Sequence, residues 1–206
     1  MRVMIGIPSY SWAVKIGTMR SLLADCVALV QRGDSFTLHD EAGNTEISLA
    51  REGIVKKFLA TECDQLVFVD DDVSWPSGAM LRLLDAPVDV VAGIYPKRKE
   101  PLQWPIGWLQ GRELWADKET GLLEVAAVPT GFLRLSRACL ERMHAEYGDA
   151  MFDNVRYETG RYSEDISFCA RWRTIGGKIW IDPEMTMGHI GNKVFHGSIG
   201  DWLRNR

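Results

Sequence analysis

Apolar residues along this chain follow two alternating periodicities. Residues 2–7 and the continuous apolar run at 66–69 predict strands, and residues 35–38 predict a shorter strand between them. The run at 66–69 is apolar at every position, as expected for a strand covered on both faces in an α/β sheet. Met19, Leu22, Leu23, Cys26 and Val30 recur at helical spacing, with Thr18 as the expected N-cap and Gly33 just past the end. Ile47, Ala50, Ile54, Val55, Phe58 and Leu59 mark a second amphipathic helix. Strand, helix, strand, helix, strand in this order predicts a parallel sheet with right-handed crossovers.

The second half is less regular. Met80, Leu81, Leu83 and Leu84 predict a short helix, and residues 88–93, 122–128, 132–135 and 178–181 predict strands. Leu140 and Met143 lie in one further helix. Ile166, Cys169, Ala170 and Ile175 lie in another, which Ser163-Glu164-Asp165 opens and Gly176-Gly177 ends. Residues 186–191 form a last extended piece. The segment 101–121 is rich in Trp, Pro and Gly with weak periodicity, which predicts an irregular lid or binding loop, with Trp104, Trp108 and Trp115 packing under it.

Composition narrows the class. At 206 residues and 46% hydrophobic, the chain can bury one α/β core. A net charge of −4 argues against a protein that coats nucleic acid through charge alone. The apolar stretches are strand-sized, which predicts no transmembrane segment, and residues 1–8 are too early broken by Pro8 for a signal peptide, so a cytoplasmic location is expected. Cys26, Cys63, Cys139 and Cys169 are widely spaced in apolar patterns and read as buried thiols.

The candidate chemistry gathers at strand ends. Asp70, Asp71 and Asp72 follow the 66–69 strand directly, and three adjacent carboxylates repel one another unless a cation or hydrogen-bonding ligand sits there. Their oxygens suit Mg²⁺ or Mn²⁺, with substrate phosphates completing the shell. Ligands of open α/β sheets bind at this edge. The alternative is a solvated acidic turn before a helix capped by Ser77. Pro8-Ser9-Tyr10 breaks the first strand at the same edge. Arg51 lies off the Ile54 and Phe58 stripe and reads as a solvated charge, unless the helix start faces the acids, where a guanidinium would pair with phosphate or an aspartate. Tyr95 with Lys97, Arg98 and Lys99 would receive an anionic or ring-bearing substrate, or form an exposed loop. Glu164 and Asp165 suit a helix N-terminus on dipole grounds alone. His189, flanked by glycines, suits close approach to a ligand and could complete a Mn²⁺ shell.

The ordered set Pro8-Ser9-Tyr10, Phe68-Val69-Asp70-Asp71-Asp72, Thr130-Gly131-Phe132, Glu164-Asp165-Ile166-Ser167-Phe168-Cys169 and Gly188-His189-Ile190-Gly191 resembles the GT-A glycosyltransferases. The likeness is strongest to small family 2-like enzymes of bacteria and phages, and it covers nearly the whole chain. It implies a single domain with a Rossmann-like, mixed and mainly parallel sheet flanked by helices, in which residues 1–95 form the nucleotide-sugar half and 96–206 the acceptor and catalytic half. It implies Mn²⁺ or Mg²⁺ held by Asp70, Asp72 and His189, with Asp70 nearer the ribose. Pro8, Ser9 and Tyr10 match the loop that cradles base and ribose, with Arg51 and Asp71 also beside the nucleotide. Glu164 and Asp165 match the acidic pair at the acceptor, Asp165 as general base and Glu164 positioning the acceptor or capping the helix.

The implied donor is a nucleoside-diphosphate sugar, UDP-sugar favoured, and the acceptor a hydroxyl of a saccharide or of a hydroxymethylated phage DNA base. A DNA acceptor would call on a basic row such as Lys97, Arg98, Lys99, Arg171 and Arg173. A nucleotidyltransferase of the same fold would need a glycine- and basic-rich loop after the first strand, which Pro8-Ser9-Tyr10 does not supply. A non-catalytic saccharide- or nucleic-acid-binding module has no use for two carboxylate clusters and a histidine. A hydrolase using paired carboxylates is a further reading. Sugar, base, acceptor, stereochemistry and oligomeric state are open at this level.

Overall fold

A computed structural model describes residues 1–111, 114, 116–157 and 160–205. The first strand, β1 (Arg2–Ser9), continues through Pro8 rather than stopping there, and leads to α1 (Ile16–Arg32), β2 (Ser35–Ala42), α2 (Ile47–Leu59) and β3 (Gln65–Val69). A two-residue strand β4 (Val73–Ser74) and a short helix α3 (Ala79–Asp85) come next, then β5 (Val90–Gly93), β6 (Leu123–Val125), β7 (Phe132–Ser136) and α4 (Arg137–Tyr147). A 3₁₀ turn and the hairpin β8 (Arg156–Tyr157) and β9 (Gly160–Arg161) precede α5 (Glu164–Thr174), β10 (Ile179–Asp182), β11 (Thr186–Ile190), β12 (Val194–Ser198) and α6 (Ile199–Arg204).

Seven strands form the main sheet in the order β2-β1-β3-β7-β5-β10-β6. β1 pairs in parallel with β2 and β3, as the alternation of strands and helices predicts, and β10 pairs in parallel with β5. β7 runs antiparallel between β3 and β5, and β6 antiparallel beside β10, so five strands share one direction and two oppose it. The fold class is therefore mixed, mainly parallel α/β in one domain, with helices on both faces. The pleat divides the core: Met4, Leu66 and Phe68 face α2, α4 and α5, while Val3, Ile5, Val67 and Val69 face α1 and α3. At Gly6 a Cβ would lie 2.5 Å from Ile54 Cγ2, so glycine lets α2 sit directly on β1.

The fold corrects several expectations from the sequence. α1 turns Thr18, Ser21, Leu22, Asp25 and Leu29 inward, leaving Met19, Leu23 and Val30 exposed. Its N-cap is Lys15, and Thr18 instead donates to the Asp71 carbonyl at 3.1 Å. The buried polar face has a purpose. Asp25 accepts from Trp75 Nε1 (2.9 Å), Gly78 N (2.5 Å) and Met80 N (2.9 Å), capping α3 from across the layer. The N-cap of α3 is thus Gly78, at φ 87°, not Ser77. Gly33 ends α1 in the left-handed region, as its position predicts. β2 extends past residue 38 to Ala42, the strand expected at 122–128 is confined to Leu123–Val125, and β12 and α6 occupy a C-terminal segment to which the periodicity assigns no element.

Arg134, 1% exposed on β7, fastens the far end of α3: its guanidinium donates to the carbonyls of Leu83 (2.8 Å), Ala86 (2.7 Å) and Val88. All four cysteines are free thiols, three of them buried and Cys26 half-buried. Trp104 and Trp108 pack against the core, whereas Trp115 lies outside the described residues. Among the described residues no helix is long and apolar enough to cross a membrane.

Asp25 joins two helices and a tryptophan through buried hydrogen bonds, so Asp25→Ala should destabilise the protein by about 3 kcal/mol, leaving three donors without their acceptor. Urea denaturation of both proteins measures it. Asp25→Asn, which keeps one carbonyl oxygen, should lose less.

Candidate active site

The three aspartates leave the end of β3 in different directions, and each is satisfied by a different part of the chain. Asp70 N donates to the Gly131 carbonyl at 2.9 Å, tying the strand end to the turn before β7. Its carboxylate accepts from Arg51 Nη2 at 2.9 Å and from the Tyr95 hydroxyl at 3.4 Å. A Cβ on Gly131 would lie 2.4 Å from Asp70 Oδ2 and 2.3 Å from the Tyr95 oxygen, so only glycine leaves room for this contact.

Arg51 is not a solvated charge. It is 2% exposed, sits on the buried face of α2, and lies over the Phe68 ring at 5.2 Å. Its Nε is 3.7 Å from Glu164 Oε1, so one guanidinium stands between Asp70 and the acid that opens α5. Nε and Nη1 are buried without a hydrogen-bond partner among the described residues. Burial alone would lower the Arg51 pKa, but Asp70 and Glu164 more than offset it and raise it. Burial raises the Glu164 pKa against the opposing pull of Arg51, with Asp165 adding to the rise. Burial, with Asp70 beside it, holds the Tyr95 pKa well above its ordinary value, so Tyr95 remains a neutral donor.

Asp71 faces the first strand. Ser9 Oγ donates to its Oδ2 at 2.7 Å, and its carbonyl accepts from Lys15 N at 2.8 Å, fixing the start of α1. Asp72 faces β11. Pairing of His189 with Val73 and Gly188 with Ser74, plus the Ile190 N to Asp72 carbonyl bond at 2.8 Å, carries the histidine to the acidic loop. His189 Nε2 lies 3.6 Å from Asp72 Oδ1, and the Arg98 guanidinium pairs with Asp72 Oδ2. His189 Nδ1 is 3.0 Å from the Pro96 carbonyl, which can only accept, so Nδ1 carries the proton and Nε2 presents a lone pair towards Asp72. Burial lowers the His189 pKa, the Pro96 contact opposes this and Arg98 adds to it, favouring neutral imidazole.

Among the described residues no group of three or more His, Cys, Asp or Glu side chains is disposed to hold a metal ion. The donor chemistry present is the pair Asp72 and His189, with Asp70 turned to Arg51. One carboxylate and one neutral imidazole suit a Mn²⁺-type cation whose remaining positions substrate oxygens fill.

Glu164 and Asp165 share the first turn of α5 but not a direction. Glu164 points inward to Arg51, while Asp165 Oδ1 accepts from Ile166 N at 2.7 Å and from Ser163 Oγ. Beside Asp71 lies an apolar cavity of about 280 Å³ lined by Ile7, Ser9, Trp12, Met19, Leu38 and Asp40. Of the expected cradle only Ser9 lines it: Pro8 is paired to Glu41 within the sheet, and Tyr10 is 69% exposed. Trp12 and Asp40 are additions that the sequence does not single out. Asp40 lies two residues past the apolar run that marks the second strand, in the part of β2 that carries no hydrophobic signal. Trp12 is the aromatic of a polar loop, held at φ 57° with its indole against Gly43, where a Cβ would come within 2.6 Å of Nε1.

No family model matches this sequence, and no curated protein does. Solved structures do. A197 from STIV superposes with a TM-score of 0.61 at 19% identity, covering 97% of this chain and 91% of that one. GalNAc-T7, solved with UDP, GalNAc and Mn²⁺, gives 0.51 at 11% identity over 93% of this chain and 44% of that one. The inositol-1-phosphate CTP transferase from T. maritima gives 0.50 at 9% identity over 92% of this chain and 89% of that one. At these identities the likeness is one of fold alone: an α/β architecture shared with A197, GalNAc-T7 and the CTP transferase.

Removing Arg51 would leave two acids crowded with no counter-charge between them. Arg51→Met should cost about 3 kcal/mol of stability at neutral pH, measured by thermal or urea denaturation. In the variant Glu164, which burial already pushes up and Arg51 no longer pulls down, would bind its proton more tightly folded than unfolded, so stability should be recovered as pH falls and lost as pH rises through its folded pKa. Adding Asp70→Asn should restore part of the loss at neutral pH.

Proposed function

We propose that this protein is a metal-dependent glycosyltransferase that moves a sugar from a nucleoside-diphosphate sugar, UDP-sugar favoured, to a hydroxyl acceptor. The observation that carries the reading is the division of the acids into two clusters on either side of Arg51. Arg51 pairs with Asp70, the neighbour in sequence of Asp71 and Asp72, through Nη2, and faces Glu164, the neighbour of Asp165, through Nε. Leaving-group departure and acceptor deprotonation need separate groups, and one basic side chain keeps these two clusters in fixed relation.

In this reading residues 1–95 hold the nucleotide. The cavity by Ser9, Trp12 and Asp40 takes the base and ribose, with Asp71 fixing Ser9. Asp72 and His189 are the protein's donors to Mn²⁺ or Mg²⁺, and Asp70, held by Arg51 and Tyr95, completes the acidic edge. When bound, the cation supplies Lewis-acid stabilisation of the departing diphosphate. Residues 96–206 hold the acceptor. Asp165 takes the proton from the acceptor hydroxyl, and Glu164, held against Arg51, positions that hydroxyl. The fold shared with GalNAc-T7, which was solved with UDP, GalNAc and Mn²⁺, supports this choice of donor and cation. A saccharide acceptor is favoured over modified DNA because, of the basic row, Arg98 is paired with Asp72 and Arg171 with the Met151 and Asp153 carbonyls, which leaves Lys97, Lys99 and Arg173.

The likeness to the T. maritima CTP transferase keeps a nucleotidyltransferase as the second reading. Against it, residues 8–10 offer neither glycine nor a basic side chain to a triphosphate. A thermal-shift and turnover screen separates the two, pairing nucleotide sugars and nucleoside triphosphates each with Mn²⁺. Stabilisation by a nucleotide sugar and sugar transfer are expected, and turnover of a triphosphate with a sugar phosphate would replace the reading.

Given a turned-over donor and acceptor, Asp165→Asn should lower the rate roughly 10²- to 10⁴-fold while donor binding holds. A variant rate near the parent's would remove Asp165 from the role of base.

A further inference from the structure

We infer that Arg98 is an exchangeable counter-ion. In the ligand-free protein it holds Asp72, and it gives up that carboxylate to the cation in order to grip the diphosphate, which makes cation and nucleotide binding cooperative. This rests on the reading of Asp72 and His189 as the cation's protein donors.

The two arginines of the acidic edge are held very differently. The Arg51 side chain is 3% exposed, so its guanidinium is held in place by the core around it, although Asp70 is 26% exposed. The Arg98 side chain is 41% exposed and that of Asp72 21%, so their pair is screened by water and easily exchanged. The backbone around Arg98 is tied by hydrogen bonds, while its side chain is 41% exposed. The Pro96 carbonyl meets His189 Nδ1 at 3.0 Å, and Lys97 N donates to the Gln103 carbonyl at 2.7 Å. The arginine stem then crosses Gly191, where a Cβ would lie 3.0 Å from Arg98 Cδ. A bare glycine surface leaves the stem free to swing without moving the loop.

Charge balance at Asp72 couples the two ligands. Asp70 has Arg51, and Asp71 has the Ser9 hydroxyl, but the charged partner of Asp72 is Arg98, with the His189 ring beside it. A divalent cation approaching Asp72 must therefore displace one positive charge. The freed guanidinium is a planar fork suited to two phosphate oxygens. A cation arriving alone loses the displaced pair without return, whereas a cation arriving with a diphosphate recovers it. Coupling of this kind is reciprocal between the two ligands.

The test is titration of the whole protein with Mn²⁺, monitored by the electron paramagnetic resonance signal of the free ion, and with UDP at saturating Mn²⁺ by calorimetry. Arg98→Ala should bind Mn²⁺ about fivefold more tightly than the parent without nucleotide, and bind UDP about tenfold more weakly with Mn²⁺ present. Lys99→Ala removes the same charge from the same loop and should change Mn²⁺ affinity less than about twofold, so a general charge effect is told apart from release of Asp72. Unchanged or weaker Mn²⁺ binding by Arg98→Ala, or an equal gain in Lys99→Ala, overturns the inference. Asp72→Asn separates the two levels. If it keeps the parent's Mn²⁺ affinity, the cation does not use Asp72, and the donor assignment fails together with the inference. If it loses Mn²⁺ while Arg98→Ala matches the parent, only the exchange by Arg98 fails.

Discussion

Three consecutive carboxylates at the end of one buried strand cannot share a partner. Side chains of neighbouring residues leaving a strand diverge, and the repulsion between them requires each to be answered separately. This constraint orders the edge of the sheet. Asp70 draws in Arg51 from α2, Tyr95 from the segment after β5 and the backbone of Gly131. Asp71 draws in Ser9 and the first turn of α1. Asp72 draws in Arg98 and the strand that bears His189. Segments from all parts of the chain meet here because each supplies a donor or a positive charge that these acids need.

The same demand explains the orientation of α1. The helix has a more apolar side, Ile16, Met19, Leu23, Val27 and Val30, and that side faces out. The side turned inward carries Thr18, Ser21 and Asp25 together with Leu22 and Leu29. Ser21 Oγ donates to the Trp75 carbonyl at 2.7 Å, and Thr18 and Asp25 bond to the acidic loop and the start of α3. Buried backbone groups left without partners carry a desolvation penalty comparable to the burial gain of an aliphatic side chain. Where a loop between β3 and α3 offers several such groups, the polar face serves as the better inner face.

The parts of the fold legible in the sequence are those governed by local pattern. Apolar runs mark β1 and β3, glycine marks the end of α1, and strand-helix alternation implies the parallel order β2-β1-β3. What stays hidden is set by partners distant in sequence. The antiparallel entry of β7 between β3 and β5 leaves no trace in the periodicity of residues 132–136, because a strand covered on both faces reads alike in either direction. Arg51 reads as a surface charge because nothing within its own helix shows Asp70 and Glu164 waiting for it. The resemblance in motif order does name residues of this edge, which stand at strand ends and a helix start. It carries no sign of Trp12 or Asp40, whose place depends on the length of β2 and the left-handed backbone at Trp12.

Arg51 also shows why the site is built into the core rather than laid on the surface. Its guanidinium rests on Phe68, an aromatic of β3 that stands edge-on to Phe152 at 5.8 Å, and Phe152 in turn stacks on Phe168 of α5. Glu164 stands one turn before Phe168 on the same helix. The arginine that spans the two acidic clusters and the aromatic stack that joins α5 to the sheet therefore link the same elements, one through charge and one through packing. A close-packed stack allows little sliding, so the distance between the clusters is set by apolar contacts that no solvent screens. Ion pairs alone would leave that distance dependent on salt and pH. With the aromatic stack beneath them, the charged groups need only choose their partners, since the core has already fixed where those partners stand.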